Sequence, residues 1–297
     1  MSDLDLSPGM IAQVACLLEA TARKPGNVHR FLDFDDTTYL DFALSAAAIV
    51  GPLNRAASQD LGLTILSAVE ATRTVVSTNT NLGMILLLAP LAAVPAGETL
   101  RAGVASVLGR STVLDARNAY RAIRLARPGG LGRSGEGQDV KDEPTETLIE
   151  AMRPAGVRDL VARQYVSGFA DVFDRFVPAL ARSLAQPGRT LETAIIAAFL
   201  DFLADRPDTL IARKLGGVVA QEASSRAAEV LQSGWPDTSR GQEALSRFDA
   251  WLRGDGHSRN PGATADLASA GLFVALRTGI IPWPIETRWP LNLGPSL

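Results

Sequence analysis

Ser7-Pro8-Gly9-Met10-Ile11-Ala12-Gln13-Val14-Ala15-Cys16-Leu17-Leu18-Glu19-Ala20-Thr21-Ala22-Arg23-Lys24-Pro25-Gly26 reads as one helix from its start signal to its stop. Ser7 is an N-cap residue and Pro8 a first-turn proline, which needs no N–H there. Ile11, Val14, Ala15 and Leu18 then recur at helical spacing, and Lys24-Pro25-Gly26 ends the pattern. The same grammar repeats along the chain. Asp36-Thr37-Thr38 opens a second helix with Phe42, Ala46, Ile49, Val50 and Leu53 facing inward, and Leu61 to Val76 is a third. A fourth follows Ser77-Thr78-Asn79-Thr80-Asn81. Others span Ser111 to Ala126, Gly156 to Leu184, Leu191 to Ala204, Thr209 to Leu231, Gln242 to Arg253 and Ala263 to Arg277. No run alternates with a period of two between hairpin turns, so the expected fold is all-α: a single-domain multi-helix bundle with buried apolar helices.

Residues 1–280 are read as one helical domain. Within it, 127–147 (RPGGLGRSGEGQDVKDEPTET) form one long Gly-rich loop, because Gly, charge and turn residues replace the apolar period. Residues 281–297 form a Pro/Trp-rich C-terminal tail that packs through Trp283 and Trp289.

The chain has 297 residues, 46% hydrophobic and 21% charged, with a net charge of -3. That composition is ordinary for a globular protein and argues against nucleic acid as a partner. The start MSDLDLSPG lacks the basic and apolar parts of a signal peptide, and the Leu82–Gly97 run falls short of the ~20 residues that cross a bilayer. No membrane partner and a cytoplasmic location are therefore expected. The single Cys16 reads as a buried thiol.

Polar clusters at helix ends carry the candidate chemistry. Glu19 lies at the edge of an apolar face, where a carboxylate is costly unless paired or metal-bound; it either pairs with Arg23 at i+4 or serves a site. Lys24, Asn27, His29 and Arg30 follow in a sharply bent loop. Asp33, Asp35 and Asp36 read either as a shared site for a hard cation or as a turn and cap. Thr78-Asn79-Thr80-Asn81 exceed what one cap requires, and such groups at a helix N-terminus suit a phosphate, ribose or base edge. Asp208 and Arg213 stand about 140° apart around a helix, so they address different parts of one ligand or serve as a cap and a surface charge. Finally, Asn260-Pro261-Gly262-Ala263-Thr264-Ala265-Asp266-Leu267 puts a tight turn before a helix start, with Thr264 as the ordinary cap and Asp266 as a first-turn charge or metal ligand. With only His29, His257 and Cys16 in hand, a zinc site of the usual ligands is excluded, and carboxylates, amides and Arg/Lys point to a Mg-nucleotide or phosphorylated ligand.

In order, these clusters resemble the triphosphoribosyl-dephospho-CoA synthase family over about residues 10 to 278. The matching pieces are Glu19 with Lys24-Pro25-Gly26, then Asn79-Thr80-Asn81-Leu82-Gly83, then Asp208-Thr209 with Arg213, and Pro261-Gly262 with Ala265-Asp266-Leu267. The family's His-Lys is replaced by Asn81-Leu82, and its Gly-Gly after the Arg is displaced to Gly216-Gly217; the forms Lys24-Pro25-Gly26-Asn27-Val28-His29-Arg30 and Asn79-Thr80-Asn81-Leu82-Gly83 resemble a divergent branch beside archaeal and one-carbon-metabolism members. The resemblance implies transfer of triphosphoribosyl from ATP to a cofactor-precursor hydroxyl, dephospho-CoA in the family, with release of adenine. Two rivals stand beside it: a related transferase acting on another acceptor in one-carbon cofactor biosynthesis, and a non-catalytic nucleotide- or cofactor-binding helical protein. It also implies Mg2+ held by Asp208 and Asp266, catalytic roles for Glu19, Asp208 and Asp266, and ligand contacts from Lys24, Asn27, His29, Asn79, Thr80, Asn81, Arg213 and Asn260. ATP and a small-molecule acceptor are the expected partners, and a homo-oligomer stays open. Glu19, Lys24, Asn79, Asn81, Asp208, Arg213 and Asp266 are expected to line one pocket.

Overall fold

The computed structural model describes residues 6–127 and 142–286. Most of the Gly-rich segment expected as a loop, and Trp289, lie outside them. The described residues build an all-α fold without a named strand. Its helices are α1 (Pro8–Thr21), α2 (Tyr39–Ala48), α3 (Val50–Asn54), α4 (Leu61–Val75), α5 (Leu82–Ala92), α6 (Leu100–Gly109) and α7 (Val113–Ala126). They continue with α8 (Leu148–Met152), α9 (Leu160–Ser167), α10 (Val177–Leu184), α11 (Leu191–Asp205), α12 (Thr209–Leu215), α13 (Gly217–Gln232), α14 (Ser239–Arg253) and α15 (Gly262–Arg277).

The caps read from sequence recur. Ser7 accepts from the Met10 N–H at the start of α1, and Thr38 forms a capping box with Asp41 at the start of α2. Two expected long helices are broken instead. The 156–184 stretch splits because Gly168 and Phe169 both take φ of 63°, after which a π-helical segment, Val172–Phe176, leads into α10. The 209–231 stretch splits at Gly216, whose φ of 92° suits glycine alone. Helix α6, not expected from sequence, fills the chain between Val94 and Ser111.

Apolar helices α5 and α15 form the centre. In α15 every residue from Leu267 to Leu276 is buried, and in α5 every residue from Met84 to Ala92. A helix apolar all round must be surrounded, and α15 packs against α1, α5, α9, α10, α11 and α12. Pro90 does not end α5. The Leu86 carbonyl that would have met the missing N–H accepts the Tyr165 hydroxyl at 2.6 Å. Arg277 closes the far end of α5 by donating to the carbonyls of Leu91 and Pro95 at 3.0 Å each. Trp283 packs against the core, and Cys16 is buried within it. No helix among the described residues is long and apolar enough to cross a membrane. The packing of α15 on α1, α5 and α12 brings three helix starts and the end of α1 to one corner.

Candidate active site

The corner is built first by the loop after α1. Lys24 is fully buried and folds back over the end of α1. Its ammonium lies 2.9 Å from Glu19 Oε1 and donates to the Glu19 carbonyl at the helix end and to the Ala22 carbonyl, which also accepts the Lys24 N–H. Glu19 is 2% exposed, so burial raises its pKa above the usual carboxylate range, an effect that Lys24 offsets in part. Arg23 does not pair with Glu19 at i+4. It turns instead to Glu192 on α11, donating from Nε at 2.9 Å and Nη2 at 2.8 Å, and Arg30 joins the same carboxylate at 2.9 Å. The reason is geometric: α1 ends at Thr21, so Arg23 no longer lies one helical turn above Glu19.

The bend itself is held by α14. Gly26 takes φ of 75°, and a Cβ there would lie 2.7 Å from Leu252 Cδ1. Its N–H donates to Asp249 Oδ1 at 2.7 Å, and Arg253 donates to the Asn27 carbonyl at 2.5 Å. Asn27 donates from Nδ2 to Asn260 Oδ1 at 2.7 Å, while its own buried Oδ1 has no hydrogen-bond partner among the described residues. His29 is buried, and its Nδ1 accepts the Phe31 N–H at 3.3 Å. Burial, with the charges of Arg253, Lys24, Arg23 and Arg30, pushes its pKa down to about 3, so the imidazole is neutral and adds no charge for a phosphate.

Asp208 clasps two helices. Its Oδ1 caps α12 by accepting from the Leu210 and Ile211 N–H groups at 2.8 and 3.1 Å. Its Oδ2 accepts from the Thr264 N–H at 2.7 Å and the Thr264 hydroxyl at 2.8 Å. Thr264 is thus no N-cap; α15 starts at Gly262 and Thr264 ties its first turn to Asp208. Four donors fill the Asp208 carboxylate. Burial nonetheless raises its pKa, with the Thr264, Ile211 and Leu210 hydrogen bonds opposing.

Asp266, one turn into α15, is the contrast. It is mostly buried, and no donor or cation among the described residues bonds to it. Its carboxylate lies where a Cβ of Gly83 would stand, with Oδ2 2.0 Å from that position. Only glycine leaves room for it against the first turn of α5. Burial, followed by the charges of Glu19, Asp208 and Asp159, raises its pKa well above the usual range, and Arg213 pulls it the other way. Glu19, Asp208 and Arg213, from separate motifs, therefore all bear on Asp266.

The amide cluster before α5 spends its hydrogen bonds on other helices. Asn81 donates to Thr72 Oγ1 at 3.1 Å, Thr80 bonds to Ser45 at 2.6 Å, and Asn79 Oδ1 accepts from the Leu82 N–H at 3.3 Å. Asn79 and Asn81 line a small crevice with Val69, Thr72, Arg73, Thr78 and Ala126, apart from the carboxylates. The Asn81 and Thr80 side chains are thus engaged by Thr72 and Ser45, and it is Gly83, two residues after Asn81, that meets Asp266. The Asp33–Asp36 turn is exposed: Asp33 accepts the Tyr39 N–H at 2.7 Å, and Asp36 lies 3.5 Å from His257. No three His, Cys, Asp or Glu side chains among the described residues gather as a metal site.

The chain has counterparts among known proteins. The model of the ATP:dephospho-CoA triphosphoribosyl transferase (CitG) family matches residues 6–283. The chain belongs to this family. It is accordingly a transferase of the ATP-dependent triphosphoribosyl class. A crystal structure from Archaeoglobus fulgidus, assigned as a triphosphoribosyl-dephospho-CoA synthase, is 24% identical and superposes with a TM-score of 0.62. The match covers 79% of this chain and 98% of that one, and shows a shared fold. No curated protein matches.

Two buried or half-buried acids that bear on these loops, Glu192 and Asp159, carry weaker sequence signals. Glu192 carries the signal that marked Glu19, a carboxylate on an apolar helix, but its partners lie 162 and 169 residues away. Asp159 precedes an apolar run as an N-cap would, and nothing local announces its bond to Arg213.

Proposed function

We propose that the chain transfers the triphosphoribosyl group of ATP to a hydroxyl of a cofactor precursor, dephospho-CoA in the family, and releases adenine at the Glu19–Asp266–Arg213 corner. The observation that carries this reading is Asp266, a mostly buried carboxylate held without a protein donor beside Glu19. Leaving such a group unmet is costly unless a ligand meets it. In the transfer, the bond from ribose C1 to the adenine nitrogen breaks and a bond from C1 to the acceptor oxygen forms. Positive charge grows at C1 as it does in glycoside cleavage, and a nearby carboxylate stabilises it. Adenine leaves with the bonding electrons, and the acceptor hydroxyl gives up its proton. A carboxylate with a raised pKa is suited to take that proton near neutral pH. Asp266 is assigned this work, with Glu19 adding negative field from 2.9 Å behind the Lys24 ammonium.

Arg213 is the cation assigned to the phosphates; Lys24 is occupied by Glu19 and the end of α1. Asp208 is assigned to positioning, since its oxygens already accept four donors. A hard cation such as Mg2+ would find an oxygen ligand without a protein donor at Asp266, whereas the Asp208 oxygens already accept four donors. With nucleotide phosphates completing its coordination, Mg2+ would offset the triphosphate charge.

One observation favours an acceptor other than dephospho-CoA. Where the resembled family carries His-Lys, Asn81 is tied to Thr72 and Leu82 is buried, 7% exposed. The test is adenine release from MgATP, followed by chromatography, with dephospho-CoA and with a panel of hydroxyl-bearing cofactor precursors. Release that depends on dephospho-CoA supports the family reaction, and release with another acceptor supports the second reading. MgATP binding without release from any acceptor would leave a binding protein, and no MgATP binding would end the nucleotide reading.

A further inference from the structure

Asp159 stands in none of the motifs, yet it repeats the arrangement of Asp208. Each is the N-cap of a helix, and each uses Oδ1 for two N–H groups of its own first turn: Val161 and Ala162 at 2.9 Å in the case of Asp159. Each then extends Oδ2 to a different helix. Asp208 reaches Thr264 on α15, and Asp159 reaches Arg213 Nη1 on α12 at 3.3 Å. A second tie joins the same two helices, because the Leu160 N–H donates to Thr209 Oγ1 at 3.1 Å. Thr209 follows Asp208 directly. The starts of α9, α12 and α15 are thereby linked in series, Asp159 to Arg213 and Thr209, Asp208 to Thr264.

The consequence falls on Arg213. Its side chain is 31% exposed and that of Asp159 28%, so solvent screens the pair and its direct gain in stability is small. What the pair supplies is direction. A long side chain free to sweep through solvent is anchored at Nη1, which leaves Nε and Nη2 for another acceptor. Arg213 and Asp159 also bear on Asp266 with opposite sign, which places the anchored guanidinium within electrostatic reach of the corner.

We infer that Asp159 is a positioning residue that holds the Arg213 guanidinium toward the phosphates of the bound nucleotide. The inference rests on the proposed reading of Arg213 as the phosphate-facing cation. Isothermal titration of MgATP into the full-length wild type, Asp159→Asn, Arg213→Ala and the double variant tests it. Asn remains a good N-cap, so the thermal midpoint of Asp159→Asn is expected to stay near that of the wild type. Arg213→Ala is expected to weaken MgATP binding about tenfold, the order of one charge-assisted contact, and Asp159→Asn about three- to tenfold. The double variant should bind no more weakly than Arg213→Ala alone, because Asp159 acts through Arg213. If Asp159→Asn binds like the wild type, or its effect adds fully to that of Arg213→Ala, the inference is overturned while the nucleotide reading stands. If Arg213→Ala itself binds like the wild type, the inference and the assignment of Arg213 both fail.

Discussion

Glu192 and Asp266 are acidic side chains desolvated in the same helical core, and they are treated in opposite ways. Glu192 receives the Arg23 and Arg30 guanidinium groups, which together make four side-chain hydrogen bonds to it. Burial alone would raise its pKa, but those donors outweigh it and the carboxyl is held below the usual range. Asp266 has no donor among the described residues and faces other carboxylates, so its pKa is pushed up. A paired charge fixes structure: the Glu192 triad pins the loop after α1 to α11. An unpaired one stores a cost that a ligand can relieve. Neighbouring residues of one loop divide between the two, since Arg23 faces Glu192 and Lys24 faces Glu19, in the proposed nucleotide corner.

The largest expected break in this contrast is Asp266→Asn. Adenine release should fall by about 10²–10⁴-fold, the range for loss of a positioned acid–base group. Thermal stability at pH 7–8 should not fall and is expected to rise, because the native carboxyl has the raised pKa and ionising it opposes folding. Melting curves and adenine assays on the same preparation check both. Glu192→Gln should do the reverse. It leaves two guanidinium groups without their carboxylate and is expected to cost about 3–5 kcal/mol in urea unfolding. A loss under about 1 kcal/mol would show that Glu192 is no structural anchor.

A third effect is acid sensitivity around the same loop. Native His29 stays neutral down to about 3, whereas an unfolded imidazole titrates near 6.5. The unfolded chain therefore binds the extra proton between those values, and stability declines as pH falls from 6.5 toward 3. His29→Gln should flatten that part of a stability-against-pH curve; an unchanged slope would contradict the buried neutral imidazole. The smallest effect on adenine release is expected from Gly83→Ala. Its Cβ would displace the Asp266 carboxylate, so release should drop several-fold, and overpacking should cost about 1–3 kcal/mol in urea unfolding, offset in part by the helix preference of alanine.

The helices were legible where caps and apolar period are local. Ser7, Thr38 and the apolar runs of α5 and α15 announce themselves within a few residues. The breaks at Phe169 and Gly216 were not: helical spacing runs on across both, and while buried Phe169 is fixed by its packing, Gly216 is exposed with nothing against it. The candidate residues were named from the order of motifs, but their neighbours were not. Gly83 looks like one more small residue until Asp266 is seen against it, and Arg23 looks like a partner for Glu19 until α1 ends two residues earlier. Asn79 and Asn81 read as ligands because polar groups crowd a helix start; Asn81 and the neighbouring Thr80 instead find hydroxyl partners on α4 and α2.

The central claim is that Asp266 is left without a protein partner because the nucleotide is its partner. The most direct measurement is the shift in thermal midpoint on adding MgATP, in the wild type and in Asp266→Asn. The account predicts that free Asp266→Asn melts no lower than the free wild type, and that MgATP raises the midpoint of the wild type while moving that of the variant little or not at all. Equal shifts in both proteins, or a free variant that melts well below the wild type, would contradict it.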